Sequence, residues 1–270
     1  MKHMEMCLLS VALLAVVGVM TASAGWVIYE SFDQTGLLPG QAGGNGLVGN
    51  WTLYRTGNLF TNVVGSLSVP SVPTRGNRLE TRTAAGDIPG GGQQGLKISV
   101  APTLSSAGLM DDGATLWFSF IVKGQGSNQN FFLAIGNTTQ QYLYWSDNGD
   151  GIGVRLDNAC KVYAAIYNGD TKVYSALEST YTTGDEYLVV GKIEWGSSSD
   201  TITVYTPDTA DLALPAGKSI SSVANLDQST FDTLCIYGVG ASPAIDEIRF
   251  GATYEDVITD PKPGTLVYGE

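Results

Sequence analysis

Apolar and polar residues alternate with period two through most of the chain, in short segments set apart by clusters of Gly, Asn, Asp and Ser. From Thr115 to Lys123 one face carries Leu116, Phe118, Phe120 and Val122, and the other Thr115, Trp117, Ser119 and Ile121, the pattern of a strand buried on one side. Residues 187–195 and 201–205 predict a hairpin across 196–200. Residues 161–167 and 171–177 predict another across Asn168-Gly169-Asp170, since Asn-Gly tolerates the positive φ of a tight turn. Further strands are predicted near 26–32, 78–83, 95–100, 131–135, 142–145, 151–156, 233–237 and 244–250. The glycine-dense stretch 39–49 and the stretch 88–94 read as loops, and no long helical period is present. About a dozen short strands, without internal repeat, linker or composition shift, predict a single all-β sandwich of two antiparallel sheets.

The first 24 residues follow a different pattern. Lys2 and His3 precede an apolar run over 8–20, broken only by Ser10 and Gly18, and Ala22-Ser23-Ala24 leads to Gly25. This is the order of a secretory signal, and about 13 apolar residues fall short of the roughly 20 that span a bilayer. Cys7 precedes most of the apolar run, which argues against a lipid anchor on that thiol. The expected division is a signal peptide over 1–24, a sandwich domain over 25–258 and a C-terminal tail or linker over 259–270. Asp260-Pro261-Lys262-Pro263-Gly264 marks the exit from the domain, and no apolar sorting segment follows it. The expected location is secreted or extracytoplasmic, in the periplasm or at the cell surface, with no membrane span after cleavage.

Composition narrows the chemistry. Glycine accounts for 34 of 270 residues, 43% of the chain is apolar and 15% is charged, a balance that excludes disorder. The net charge of -12 repels phosphate backbones, so nucleic acid is not an expected partner. His3 is the one histidine, and it lies in the signal; from Gly25 onward the chain has no imidazole and two cysteines, Cys160 and Cys235. A Ser-His-Asp or Cys-His nucleophile lacks its base, and zinc lacks its usual ligands. A bound metal would be hard and oxygen-ligated, with calcium first. Cys160 and Cys235 are read either as a disulfide or as two separate buried thiols.

Several strings together carry a resemblance. Tyr29-Glu30-Ser31-Phe32-Asp33, Gly40-Gln41-Ala42-Gly43-Gly44-Asn45-Gly46 and Trp51 resemble the opening of LamG-like, concanavalin A-like jelly-roll proteins secreted by environmental bacteria. Leu188-Val189-Val190-Gly191-Lys192-Ile193 leading to Asp200-Thr201-Ile202-Thr203-Val204 resembles that group's central hairpin. Phe231-Asp232-Thr233-Leu234 and Ile245-Asp246-Glu247-Ile248-Arg249-Phe250-Gly251 resemble its closing strand. The resemblance spans nearly all of the chain after Gly25 and implies a concanavalin A-like jelly-roll β-sandwich. That fold hosts lectin-like modules, adhesins, glycosidases and lyases, so it does not select an activity. Many relatives carry a C-terminal membrane-sorting tail, from which this chain departs, so its C-terminus is read as either free or the stub of something larger.

Strict alternation along the closing segment places Asp246 on the face of Ile248 and Phe250, with Glu247 and Arg249 opposite. A buried Asp246 needs backbone donors, a cation or a metal; satisfaction by backbone N–H groups where the first and last strands meet is weighed against calcium. Glu247 and Arg249 read as a same-face ion pair of small energetic consequence. Asp147-Asn148-Gly149-Asp150-Gly151 fails the spacing of a calcium loop and reads as a turn. A glycosidase needs two carboxyl groups facing one sugar, and the Glu-x-Asp-x-x-Glu strand pattern of laminarinase-like enzymes is absent; a pair from separate strands, with Glu194 or Glu178 as members, is the remaining route. Sugar rings stack on aromatic faces, and Tyr142, Tyr144, Trp145, Tyr163, Tyr167 and Tyr174 crowd the middle of the sequence. Tyr142 and Tyr144 share one face of their strand, and Tyr163 and Tyr167 share a face of theirs.

The carbohydrate-binding candidates are therefore Tyr142, Tyr144, Trp145, Tyr163 and Tyr167, the metal candidate is Asp246 with calcium, and no catalytic residue is assigned. The expected function is a secreted, non-catalytic polysaccharide-binding or adhesion module whose partner is a polysaccharide or cell-surface glycan. The alternatives are a glycoside hydrolase or lyase on the same fold, or a structural surface protein with a protein ligand. The excess of acids favours neutral or cationic glycans over sulfated or uronic ones.

Overall fold

The alternating segments fold as strands, joined by turns at the Gly and Asn clusters. The structure, a computed structural model, describes residues 25–55, 59–82, 93–124, 130–137, 149–157, 161–169, 171–180, 182–214, 219–239 and 243–260. Its elements in chain order are β1 (Ile28–Glu30), β2 (Gly36–Leu37), β3 (Val48–Arg55), β4 (Leu59–Val64), β5 (Asn77–Arg82), β6 (Gln93–Ser99), α1 (Ala101–Ser106), β7 (Thr115–Lys123), β8 (Asn130–Gly136) and β9 (Gly151–Leu156). There follow β10 (Lys161–Asn168), β11 (Thr171–Thr180), β12 (Glu186–Glu194), β13 (Ser199–Tyr205), β14 (Ser219–Ala224), β15 (Thr233–Val239), β16 (Ala244–Gly251) and α2 (Tyr254–Ile258). The strands form two antiparallel sheets, a nine-stranded one ordered β14-β13-β12-β7-β16-β5-β4-β2 with β1 also paired to β16, and a seven-stranded one ordered β11-β10-β9-β8-β15-β6-β3. This is an all-β sandwich of two antiparallel sheets. Among the described residues no helix is long and apolar enough to cross a membrane.

Both predicted hairpins form. Glu194 faces Thr201 at the end of the β12–β13 ladder, and Asn168 faces Thr171 in the β10–β11 ladder, with Gly169 at φ 55°. The inner faces meet in one core, where Leu116, Phe118, Phe120 and Val122 of β7 pack with Phe131, Leu133 and Ile135 of β8 and with Ile245, Ile248 and Phe250 of β16. Phe118 lies 5.8 Å from Phe250, and Phe120 6.2 Å from Phe131, between ring centroids.

The expectation that residues 115–123 are buried on one side only is overturned. Ile121 on the outer face is as buried as its inward neighbours, under a second apolar layer of Leu67, Val69 and Val72 from the segment after β4, and Val257 and Ile258 from α2. Ser119 is buried with it and donates its hydroxyl to the Val257 carbonyl. The middle of the nine-stranded sheet, around β7, β12 and β16, is thus covered on both sides. Strand β7 carries both Leu116-type and Ile121-type positions because both of its faces meet protein.

Strands β2, β3, β4 and β14 and both helices have no counterpart in the alternation along the chain. In β3 the register against β6 shifts twice, between Val48 and Thr52 and between Leu53 and Arg55, so its sequence loses the alternation that marks a strand. Helix α2 is five residues long, too short for a helical period, and is set by a capping box: Thr253 accepts from the Asp256 N–H while the Asp256 carboxylate accepts from the Thr253 N–H.

The segment of residues 40–46 runs against β1 and converts the opening strings of the sequence into a joint. Tyr29 donates its N–H to the Asn45 carbonyl, and a side chain on Gly44 would collide with the Tyr29 carbonyl at 2.2 Å, so the approach requires glycine. Glu30, 1% exposed, accepts the Phe32 N–H on one carboxylate oxygen and the Gly44 N–H and the Trp51 indole N–H on the other, at 2.8, 2.8 and 3.0 Å. Burial raises the Glu30 carboxyl above its ordinary value, and these three donors oppose the shift. Removing the carboxylate strands three buried donors. Glu30→Ala is expected to lower unfolding stability by about 2–5 kcal/mol in urea titration, and Glu30→Gln, which keeps one acceptor oxygen, by less.

Candidate functional site

The outer face of the seven-stranded sheet differs in chemistry from its inner one. The ladder aligns Tyr163 with Arg155, Arg155 with Phe132, Phe132 with Tyr237, and Tyr237 with Gly95, so five strands contribute to one row. Neighbours such as Val162, Val154, Leu133, Ile236 and Leu96 point inward to the core, which leaves this row outward. At its β6 end the Tyr54 ring lies over Gly95, where a Cβ would meet ring carbons at 2.3 Å. Beside it runs a parallel lane of small residues, Ala165, Gly153, Ala134 and Cys235, with Tyr174 paired to Ala165 at one end and Lys97 paired to Cys235 at the other.

Arg155 organises the aromatic end of this face. Its guanidinium carbon lies 4.9 Å from the Tyr174 ring centroid, 5.4 Å from Tyr163 and 5.8 Å from Phe132, so a cation is held among three rings. Tyr174 meets Tyr163 and Tyr167 edge to face at 6.5 and 5.8 Å. The Tyr163 hydroxyl donates to Asp157 at 2.7 Å, and burial together with that carboxylate raises its pKa. Two tiers result. Phe132, Tyr167 and Tyr237 are buried, whereas Tyr54, Arg155, Tyr163 and Tyr174 are half-buried and present part of their surface to solvent.

Tyr163 and Tyr167 share a face, as their spacing requires, but only Tyr163 reaches the outer tier; Tyr167 is 1% exposed and supports the rings above it. Tyr142, Tyr144, Trp145 and Cys160 lie outside the described residues. Cys235 is a free buried thiol on the lane of small residues, and burial pushes its pKa up to about 12, which keeps it protonated and unreactive. Three participants escaped the sequence reading. Arg155 and Phe132 follow the same alternation as their neighbours but give no sign of which sheet face is outward, and Tyr54 lies on the bulged strand β3.

The acids of the closing strand serve its attachment. The pairing of β16 with β7 shifts register between Asp246 and Arg249, and Glu247 adopts a left-handed φ of 54°. The extra residue resets the alternation, so Ile245, Ile248 and Phe250 face the core while Asp246 pairs with Ile121 beneath the second apolar layer. The expectation that Asp246 shares the face of Ile248 and Phe250 is therefore overturned. Asp246 accepts the Leu67 N–H on one oxygen and its neighbour's N–H, that of Glu247, on the other, both at 2.8 Å. Burial first, then the Glu247 charge, push its carboxyl up to about 8.

The expected ion pair of Glu247 and Arg249 forms, but it is buried. Their side chains are 1% and 2% exposed and meet at 2.6 Å, Glu247 also accepts the Arg75 N–H, and Arg249 donates to the Pro73 carbonyl and lies over the Tyr29 ring. Two backbone partners from the segment before β5 thus hold a buried ion pair in place. A polar cleft of about 400 Å³ opens beside this joint, lined by Tyr29, Ser31, Asp33, Gln34, Asn45 and Arg75 among others. Glu194, at the far end of the nine-stranded sheet, is exposed and paired with Lys192 at 2.9 Å; the Glu178 side chain lies outside the described residues. Among the described residues no group of three or more His, Cys, Asp or Glu side chains is placed to hold a metal ion.

Solved structures align with this chain at low sequence identity. A protein of unknown function from Shewanella oneidensis MR-1 superposes with a TM-score of 0.46 at 15% identity, over 86% of this chain and 88% of that one. The CBM2 module of the evolved Dit of Lactobacillus casei BL23 phage J-1 gives 0.45 at 13% identity, over 87% and 97%. A β-glucanase from Bacillus licheniformis gives 0.42 at 12% identity, over 84% and 96%. No family model and no curated protein matches the sequence.

The raised carboxyl of Asp246 makes stability depend on pH. Between the ordinary value of 3.8 and about 8, the folded chain holds a proton that the unfolded chain releases, so this stabilisation is full below the lower value and is lost as pH rises through the upper one. Stability is expected to fall by up to about 1.4 kcal/mol per pH unit across that window, read from urea midpoints at pH 5 and pH 8. In Asp246→Asn the slope flattens.

Proposed function

We propose that the protein is a secreted, non-catalytic module that binds polysaccharide or another cell-surface glycan on the outer face of the seven-stranded sheet. The observation that carries this reading is the outer tier around Arg155, where Tyr163 and Tyr174 present ring surface on a rigid sheet. Tyr54 stands at the other end of the same row. A sugar ring has an apolar face of C–H groups that stacks on an aromatic ring, while its hydroxyls need donors and acceptors at the edge. Arg155 and Lys97 supply donors, and Asp157 an acceptor, beside those rings. Tyrosine gives this contact at low entropic cost, since two χ angles fix the ring and its neighbours already hold it. The net charge of -12 favours a neutral glycan.

The buried acids support the non-catalytic part of the reading. Glu30, Asp200 and Asp246 each accept two or more backbone N–H groups, and Glu247 is tied to Arg249 and Arg75. Each is committed to joining segments of chain.

The test is pull-down by insoluble polysaccharides and mobility shift in soluble ones, with calcium or with chelator, scoring new reducing ends in the same samples. Retention without new ends is expected. Tyr174→Ala and Arg155→Ala are each expected to weaken it about tenfold, the effect of losing roughly 1.4 kcal/mol of contact. Tyr205→Ala, on the opposite sheet, leaves it unchanged. New reducing ends, or retention unaffected by the first two substitutions, would overturn the proposal.

A further inference from the structure

The buried carboxylate of Asp256 has a partner that only processing would complete. Asp256 is 4% exposed and accepts three backbone N–H groups: Ala252 and Thr253 on one oxygen, at 3.0 and 2.9 Å, and Gly25 on the other, at 2.7 Å. Among the described residues no lysine or arginine pairs with it. A buried carboxylate with no cation opposite it is costly, and three amide dipoles offset that cost only in part. Gly25 is also the residue after Ala22-Ser23-Ala24, the small-residue sequence at which a signal-type peptidase cuts.

We infer that the peptide bond between Ala24 and Gly25 is the maturation site, and that the amine released there becomes the counter-ion of Asp256. A signal-type peptidase adds one water across the bond. Ala24 leaves with the new carboxylate, and Gly25 keeps the nitrogen, which takes up a proton near neutral pH. The nitrogen that donates one neutral N–H to Asp256 then carries a positive charge and three N–H groups, and a charge-assisted bond of this kind is about twice as strong as a neutral one.

The contact lies where it can act on the whole fold. Two residues beyond Gly25 the Val27 N–H donates to the Phe250 carbonyl, which starts the β1–β16 ladder, and Asp256 closes the capping box of α2. Helix α2 in turn covers the outer face of the nine-stranded sheet through Val257 and Ile258. Cleavage would therefore fasten the first strand, the last strand and the covering helix at one point. This inference is independent of what the seven-stranded sheet binds.

The full chain is expressed in an exporting bacterium and the exported form is weighed by mass spectrometry and sequenced from its amino end. A chain starting at Gly25 is expected; a start elsewhere would overturn the inference. The exported chain is then acetylated selectively at its α-amine, and thermal midpoints are compared with and without the block. Acetylation is expected to lower the midpoint by about 2–4 °C in the natural sequence and to have little effect in Asp256→Asn. Because Asp256→Asn also weakens the cap of α2, Thr253→Ala serves as the second variant. It loses the other half of the capping box but keeps the carboxylate, so acetylation should still cost the natural shift. An equal acetylation shift in the natural chain and in Asp256→Asn, or none in either, would overturn the ion pair.

Discussion

The pairing of the first strand with the last is the constraint from which the rest of this structure follows. Only three residue pairs join β1 to β16, too few to hold a sheet together by ladder bonds alone. Buried polar groups flank this joint: Glu247 with Arg249 gathers Arg75 and Pro73 and places the guanidinium over the Tyr29 ring of β1, and Glu30 ties β1 to Phe32, Gly44 and Trp51. Each group lies in low dielectric, where a missing partner is expensive, so the network admits few alternative arrangements. It fixes where residues 40–46 lie and how the segment before β5 crosses the sheet.

The two outer faces differ. On the nine-stranded sheet, Leu67, Val69, Val72 and α2 form a dry second layer, and Asp246 is drawn beneath it to hold the Leu67 backbone. On the seven-stranded sheet, an arginine among tyrosines stands at the surface of a buried aromatic tier. One face thus contributes stability by apolar burial, and the other combines support below with partly exposed rings above. A rigid, half-exposed aromatic surface suits binding, because little side-chain entropy is left to lose on contact.

The same bulge explains two features that alternation misassigns. Glu247 in the left-handed region inserts one residue into β16, which turns Asp246 away from the core and buries the Glu247–Arg249 pair against residues 73–75. Strand β3 shows the same effect on a larger scale, since its two register shifts conceal both the strand and the Tyr54 that it carries. Periodicity reads regular strands well, and bulges remove the signal it reads.

The amino-acid sequence by itself determined the class of fold and most of its strands. Period two in segments such as 115–123, 187–195 and 201–205 is a local property of extended backbone, and the Asn168-Gly169 turn is set by steric tolerance within two residues. It also determined which chemistries are excluded from Gly25 onward, because an absent imidazole cannot be restored by folding. Tertiary structure alone decided which face of each strand met protein and which met solvent. Tyr163 and Tyr167 are equivalent by spacing, yet one is half-exposed and the other 1% exposed, since Tyr167 is packed against both the Phe132 and the Tyr174 rings. Burial depends on what segments distant in sequence lay over a strand, and so do the partners of Glu30, Asp246 and Asp256, which lie up to 231 residues away.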